Sequence, residues 1–107
     1  MVLTKDSKET VQNRIRQDRD FAISLLDEAI SLLLNGESKV ARLLLRDIVN
    51  ATIGFEALSD ITEKPSKSLH RMLSANGNPT MDNLIVILQA LRQQLNVEIR
   101  VQVTSCT

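Results

Sequence analysis

Apolar residues recur along this chain at the spacing of a single helix face, and the runs are cut by residues that helices rarely tolerate. The cuts fall at Asn35-Gly36, at Gly54, at Pro65 and across Asn76-Gly77-Asn78-Pro79. Glycine accepts the left-handed backbone found just past a helix end, and proline drives the residue before it out of helical geometry. The punctuation predicts a mainly α fold, a compact bundle of about six helices, within one domain spanning 1–107.

Between the cuts each run has its own start signal. Asp6 with Glu9 reads as a capping-box variant ahead of Val11 and Ile15. A second helix starts around Asp18 to Asp20 and turns Phe21, Leu25, Leu26, Ala29 and Leu33 inward; Ile23, Ile30 and Leu34 widen its apolar stripe. Ser38 is a capping candidate for a third helix reaching about Ile53, with Val40, Leu44, Ile48 and Ala51 on one face and Arg42, Arg46, Asp47 and Asn50 towards water. A short fourth helix, Phe55 to about Thr62, turns Leu58 and Ile61 inward. Ser66 can cap a fifth, whose inward residues are Leu69, Met72 and Leu73, and Thr80 a sixth, with Leu84, Ile87, Leu88, Leu91 and Leu95 at amphipathic spacing.

Only one segment changes period. Val97, Ile99, Val101 and Val103 alternate with Glu98, Arg100 and Gln102, the pattern of a half-buried strand. The chain holds no second convincing strand, and a lone strand leaves its backbone groups unpaired. Pairing of 97–103 with the same segment of a second copy, antiparallel across a two-fold axis, is the economical solution and predicts a homodimer.

Composition narrows the functions open to such a fold. Of 107 residues two are Phe and none is Tyr or Trp, so single-stranded nucleic acid finds no stacking platform. Acidic and basic residues balance at 13 each, so any attraction to a polyanion must be local. The one cysteine, Cys106, cannot form an intrachain disulfide or a structural zinc site. There is no phosphate-cradling Gly-rich loop, metal-ligand spacing or nucleophile–base pair, so no enzyme, metal or cofactor is expected. No stretch approaches membrane-spanning length and the first residues lack the apolar run of a signal peptide, which predicts a cytoplasmic protein without a membrane partner.

Local charge lies in 58–80. Lys64, Lys67 and Arg71 fall there, and no acidic residue lies between Glu63 and Asp82. Two short helices meeting steeply across a turn of about three or four residues would be locked by Leu58, Ile61, Leu69 and Met72, with the small Ser59 where the axes come closest. The second would present Ser66, Lys67, His70, Arg71 and Ser74 away from the core. A helix so decorated suits the major groove of double-stranded DNA: Arg71 offers a fork to guanine, Lys67 reaches guanine or phosphate, and Ser66 and Ser68 donate or accept. Asn76, Asn78 and Thr80 on the following loop can hold the phosphate backbone. His70, with no paired carboxylate, reads as a polar groove-facing residue rather than a catalyst. A solvated i, i+4 face is the plainer account of Lys67 and Arg71, but such faces usually mix signs.

The run from Ile53 to Leu91 resembles the XRE/Cro-type helix-turn-helix of phage repressors and antitoxins. Leu44 to Ser59, Lys64 to Leu73 and Gly77 to Leu84 extend this to the addiction-module antidote proteins related to HigA-type antitoxins, over nearly the whole chain. The resemblance implies N-terminal helices in 1–36, a DNA-binding core in 38–95 and the strand in 97–103. It assigns recognition contacts to Ser66, Lys67, Ser68 and Arg71, with His70 weaker, and backbone contacts to Asn76 and Asn78. Ser59 takes the place of a frequent alanine, and Glu63 stands where many members carry the turn glycine. The implied function is an antitoxin that binds a RelE-like toxin and represses its own operon at a palindromic operator. The alternative is a protein-interaction module that neutralises a toxin with DNA binding incidental, in which 1–36 either docks the toxin or completes the core.

Overall fold

The computed structural model describes the backbone from Lys5 and the side chains from Thr10 to Thr107. All regular structure among the described residues is helical: α1 (Lys5–Gln17), α2 (Arg19–Leu34), α3 (Ser38–Ala51), α4 (Phe55–Thr62), α5 (Ser66–Met72) and α6 (Met81–Leu95). Among the described residues no helix is long and apolar enough to cross a membrane.

Several helix ends are set by the residues that mark them in the sequence. The Asp18 carboxylate accepts from the Phe21 amide at 3.1 Å and starts α2. Gly36, at φ 95°, closes α2: its own amide reaches Leu33 O and the Glu37 amide reaches Leu32 O, which satisfies the last carbonyls. Thr80 Oγ1 accepts from the Asn83 amide at 3.2 Å and starts α6. Asn96, left-handed at φ 54°, ends α6 with the same pair of bonds, Asn96 to Gln93 O and Val97 to Arg92 O.

Other ends differ from expectation. Ser38 and Ser66 are the first residues inside their helices; the caps are Glu37 and Pro65, and neither gives a side-chain bond. Proline still suits its place, because its φ of −59° leads into the helix while its carbonyl accepts from Leu69. The third helix stops at Ala51, before Ile53. The side chains of the Asp6–Glu9 pair lie outside the described residues.

One core runs through the molecule. α2 packs against α3 and α1 contacts both, while α4 contacts α3, α5 and α6. Ala22, Leu26 and Ala29 of α2 are buried in one core with Leu45, Ile48 and Val49 of α3, and Ala41 is buried as well. Ile15 of α1 belongs to the same core, so the N-terminal helices complete it rather than stand apart. Leu58, Leu69, Leu73, Ile87 and Leu91 are fully buried at the other end. Each contributes about 1.5–3 kcal/mol by leaving water.

Three residues that their spacing places on apolar faces are exposed: Leu34 at the end of α2, Val40 and Ile61. Val40, 51% exposed, sits in the first turn of α3 at the edge of a stripe centred on Ala41, Leu45 and Ile48. Ile61 is 57% exposed. At about 100° per residue it lies about 120° from Phe55, whereas Leu58 and Thr62 stay within about 60° of it. Thr62 therefore takes the inner place, its hydroxyl donating to Leu58 O at 2.8 Å.

The 97–103 segment forms no strand within the single chain. Its alternation persists in burial: Val97 packs against the core and Ile99 is half-buried, while Glu98, Arg100 and Gln102 face solvent. Among the described residues nothing covers Val101 or Val103, and no neighbouring strand is present to pair with the segment.

Candidate nucleic-acid interface

The 58–80 segment is built from α4, the Glu63–Pro65 turn, α5 and the loop into α6. Glu63 holds the left-handed conformation, φ 58° and ψ 31°, that reverses the chain after α4. Glycine is the residue that adopts it freely, so the backbone would prefer glycine at the one turn position where this chain departs from the resembled pattern. Ser59 closes the turn: its hydroxyl donates to Lys64 O at 2.6 Å. Its polarity satisfies a turn carbonyl.

α5 buries Leu69 and Leu73 and half-buries Met72. Its opposite face carries Lys67 and Arg71, both exposed. Among the described residues the single ion pair joins Glu98 and Arg100, so neither cation on α5 is neutralised by a carboxylate. Ser66 and Ser68 are half-buried beside them; Asn76, Asn78 and Thr80 are exposed on the loop. Ser68, Arg71, Asn78 and Thr80 line one shallow concavity together with Met72, Pro79 and Asn83. Lys67, Ser66 and Asn76 lie outside it.

His70 departs from its assignment. Its ring stacks on Phe55 with centroids 3.8 Å apart and planes 19° from parallel. Phe55 is 6% exposed, so the imidazole serves as a half-buried spacer between α4 and α5 rather than a free groove-facing group. The stack gives the two helices a flat contact of defined geometry.

Arg42, a water-facing residue by its helical phase, instead anchors the site. From α3 its Nε donates to Ser74 O at 3.1 Å and its Nη2 to Ala75 O at 3.0 Å. These are carbonyls just past the C-terminus of α5, where a cation also meets the negative end of the helix. Arg19 does the same for α6, donating to Leu95 O at 2.7 Å. Gly77 then lets the loop return against α5. A Cβ there would strike the carbonyls of Arg71 and Met72, within 2.6 Å of the latter. The close approach brings Asn78 and Thr80 beside Arg71.

Asn83, Arg42 and Gly77 are site-shaping residues that sequence reasoning does not single out for this role. Asn83 has a local signal, as the residue three past a capping threonine. Arg42 carries no such signal, since its partners are about thirty residues away in sequence and are backbone atoms. Comparison of the chain with family models, with curated proteins and with solved structures returns no match.

Proposed function

We propose that the chain is a sequence-specific DNA-binding transcriptional regulator in which α4, the Glu63–Pro65 turn and α5 act as a helix-turn-helix. α5 enters the major groove with Lys67 and Arg71 as the principal base-reading groups. Ser66 and Ser68 support them from the same helix, and Asn76, Asn78 and Thr80 hold the phosphate backbone. The observation that carries this reading is the pair Lys67 and Arg71, unpaired with any carboxylate among the described residues and projected outward from a helix whose other face is fixed by Leu69 and Leu73. A cation with no carboxylate partner among the described residues can meet phosphate or guanine without first breaking an ion pair there.

The active form in this proposal is a homodimer paired through 97–103, so that two copies of α5 meet successive major grooves about 34 Å apart on a palindromic operator. The resemblance to addiction-module antidote proteins extends the proposal to an antitoxin that represses its own operon and binds a RelE-like toxin. Gel retardation of duplex DNA taken from upstream of the chain's own reading frame tests it. Wild type gives a discrete complex that survives excess nonspecific competitor. Lys67→Ala combined with Arg71→Ala loses the complex while its far-UV circular dichroism stays unchanged. Retention of the competitor-resistant complex by the double variant would overturn the assignment of α5.

A further inference from the structure

The C-terminal segment and α2 enclose an open groove whose apolar lining includes Ile23, Ile30 and Leu34 on one side and Val97, Ile99 and Val101 on the other. Leu34 and Val101 are each 62% exposed and Val103 is 92% exposed, a large apolar surface for a chain of this size. From Glu98 to Thr104 no backbone amide or carbonyl makes a hydrogen bond among the described residues. The segment therefore presents an apolar face and an unpaired edge together.

Charge on the other face selects the occupant. Glu98 and Arg100 are paired with each other at 3.2 Å, with side chains 74% and 84% exposed. A pair so exposed contributes little to the single chain and can exchange partners at little cost. In an antiparallel ribbon of two identical strands, directly opposite residues share a face and interact. A register centred on Ile99 sets Val97 opposite Val101 and sets Glu98 opposite Arg100 on both sides of the axis. Centring on Glu98 or Arg100 places that charge against itself. Centring on Val101 leaves Arg100 opposite Gln102 and Glu98 opposite Thr104. Registers centred between residues put polar side chains opposite apolar ones.

We infer that the groove is completed by the same segment of a second copy of this chain, in the antiparallel register centred on Ile99, with Glu98 and Arg100 as its register-determining residues. This rests on the reading of a homodimer paired through 97–103 and adds its register and its selectivity. The apolar side of the ribbon, with Val97, Ile99 and Val101 from both copies, continues the surface of Ile23, Ile30 and Leu34. The polar side carries two intermolecular ion pairs in place of the two intramolecular ones.

The full chain carrying Cys106→Ser provides the test. Ile99→Cys in that background places two thiols opposite each other at the axis, within the Cα separation of about 4.4–6.8 Å that a disulfide needs. Val101→Cys places its own two thiols four residues out of register, about 13 Å apart along the strands. Mild oxidation is expected to convert Ile99→Cys, and not Val101→Cys, to covalent dimer. Separately, Glu98→Arg or Arg100→Glu alone weakens self-association about tenfold or more, and mixing the two single variants restores it as a heterodimer. Preferential cross-linking of Val101→Cys would overturn the register while leaving a dimer. Monomer for the unmodified chain at high concentration in sedimentation would overturn the interface and the homodimer reading together. Failure of the mixed charge variants to associate, with the unmodified chain dimeric, would overturn the assignment of Glu98 and Arg100.

Discussion

Replacing Glu63 by glycine should make the protein more stable. Glu63 has φ 58° and ψ 31°, and an L side chain in that region costs about 1–2 kcal/mol. Glycine removes this cost but gives the unfolded chain extra freedom, which returns about 0.4–1 kcal/mol. The carboxylate also sits at the negative end of α4, and its removal gains about 0.3–1 kcal/mol at low ionic strength. The net for Glu63→Gly is about 1–1.5 kcal/mol, or a rise in Tm of about 4–8 °C for a domain near this size. Glu63→Gln separates the two causes, since it removes the charge and keeps the strain, so it should recover only the smaller part. Asn96→Gly provides a second comparison. Asn96 is left-handed too, at φ 54°, but asparagine tolerates that region, and its gain should be near zero. Urea unfolding followed by far-UV circular dichroism, with an unchanged m value, gives each difference. Glu63→Gly no more stable than Glu63→Gln would refute the left-handed turn, and with it the geometry that sets α5 against α4.

Three further outcomes follow from the packing. Leu58→Ala should cost about 2–5 kcal/mol and Ile61→Gln less than about 0.5, since the first is fully buried and the second 57% exposed; equal costs in urea unfolding would show that the phase of α4 is wrong. Arg42→Met, which keeps the aliphatic stem but loses both bonds to Ser74 and Ala75, should cost about 1.5–3 kcal/mol, against a negligible change for Lys39→Met in the exposed first turn of the same helix. Gly77→Ala should lose about 1–3 kcal/mol by the same assay because its methyl meets backbone that cannot turn away, and a neutral result would mean the loop does not lie against α5.

Much of the helical framework is legible because helix ends are local events. Asp18, Gly36 and Thr80 each act on atoms within about four residues, so the sequence alone places them. Burial is less legible. α2 hides Ala22 more completely than Phe21 or Leu25, because close approach to α3 favours small side chains over large ones at the line of contact. Ile61 is misplaced by its pattern because in a helix of eight residues two apolar positions define the stripe poorly. At the candidate site the exposed cations and loop asparagines are signalled by the missing acids between Glu63 and Asp82. His70 on Phe55 and Arg42 on the end of α5 are not, since both depend on elements brought together only by the tertiary fold. The alternation in 97–103 specifies an extended backbone with two unlike faces, and says nothing by itself of what pairs with it.

If Lys67 and Arg71 read DNA from an outward face of α5, the full chain should select its own site from a pool of randomised duplex DNA. Wild type should enrich a palindrome whose half-sites are about one helical turn apart, and the affinity for that duplex should fall by roughly two orders of magnitude between about 50 and 200 mM salt as Lys67 and Arg71 of both copies displace counterions. Lys67→Ala combined with Arg71→Ala should enrich nothing. An unenriched pool with the wild-type chain, or the same palindrome recovered with the double variant, would contradict the account.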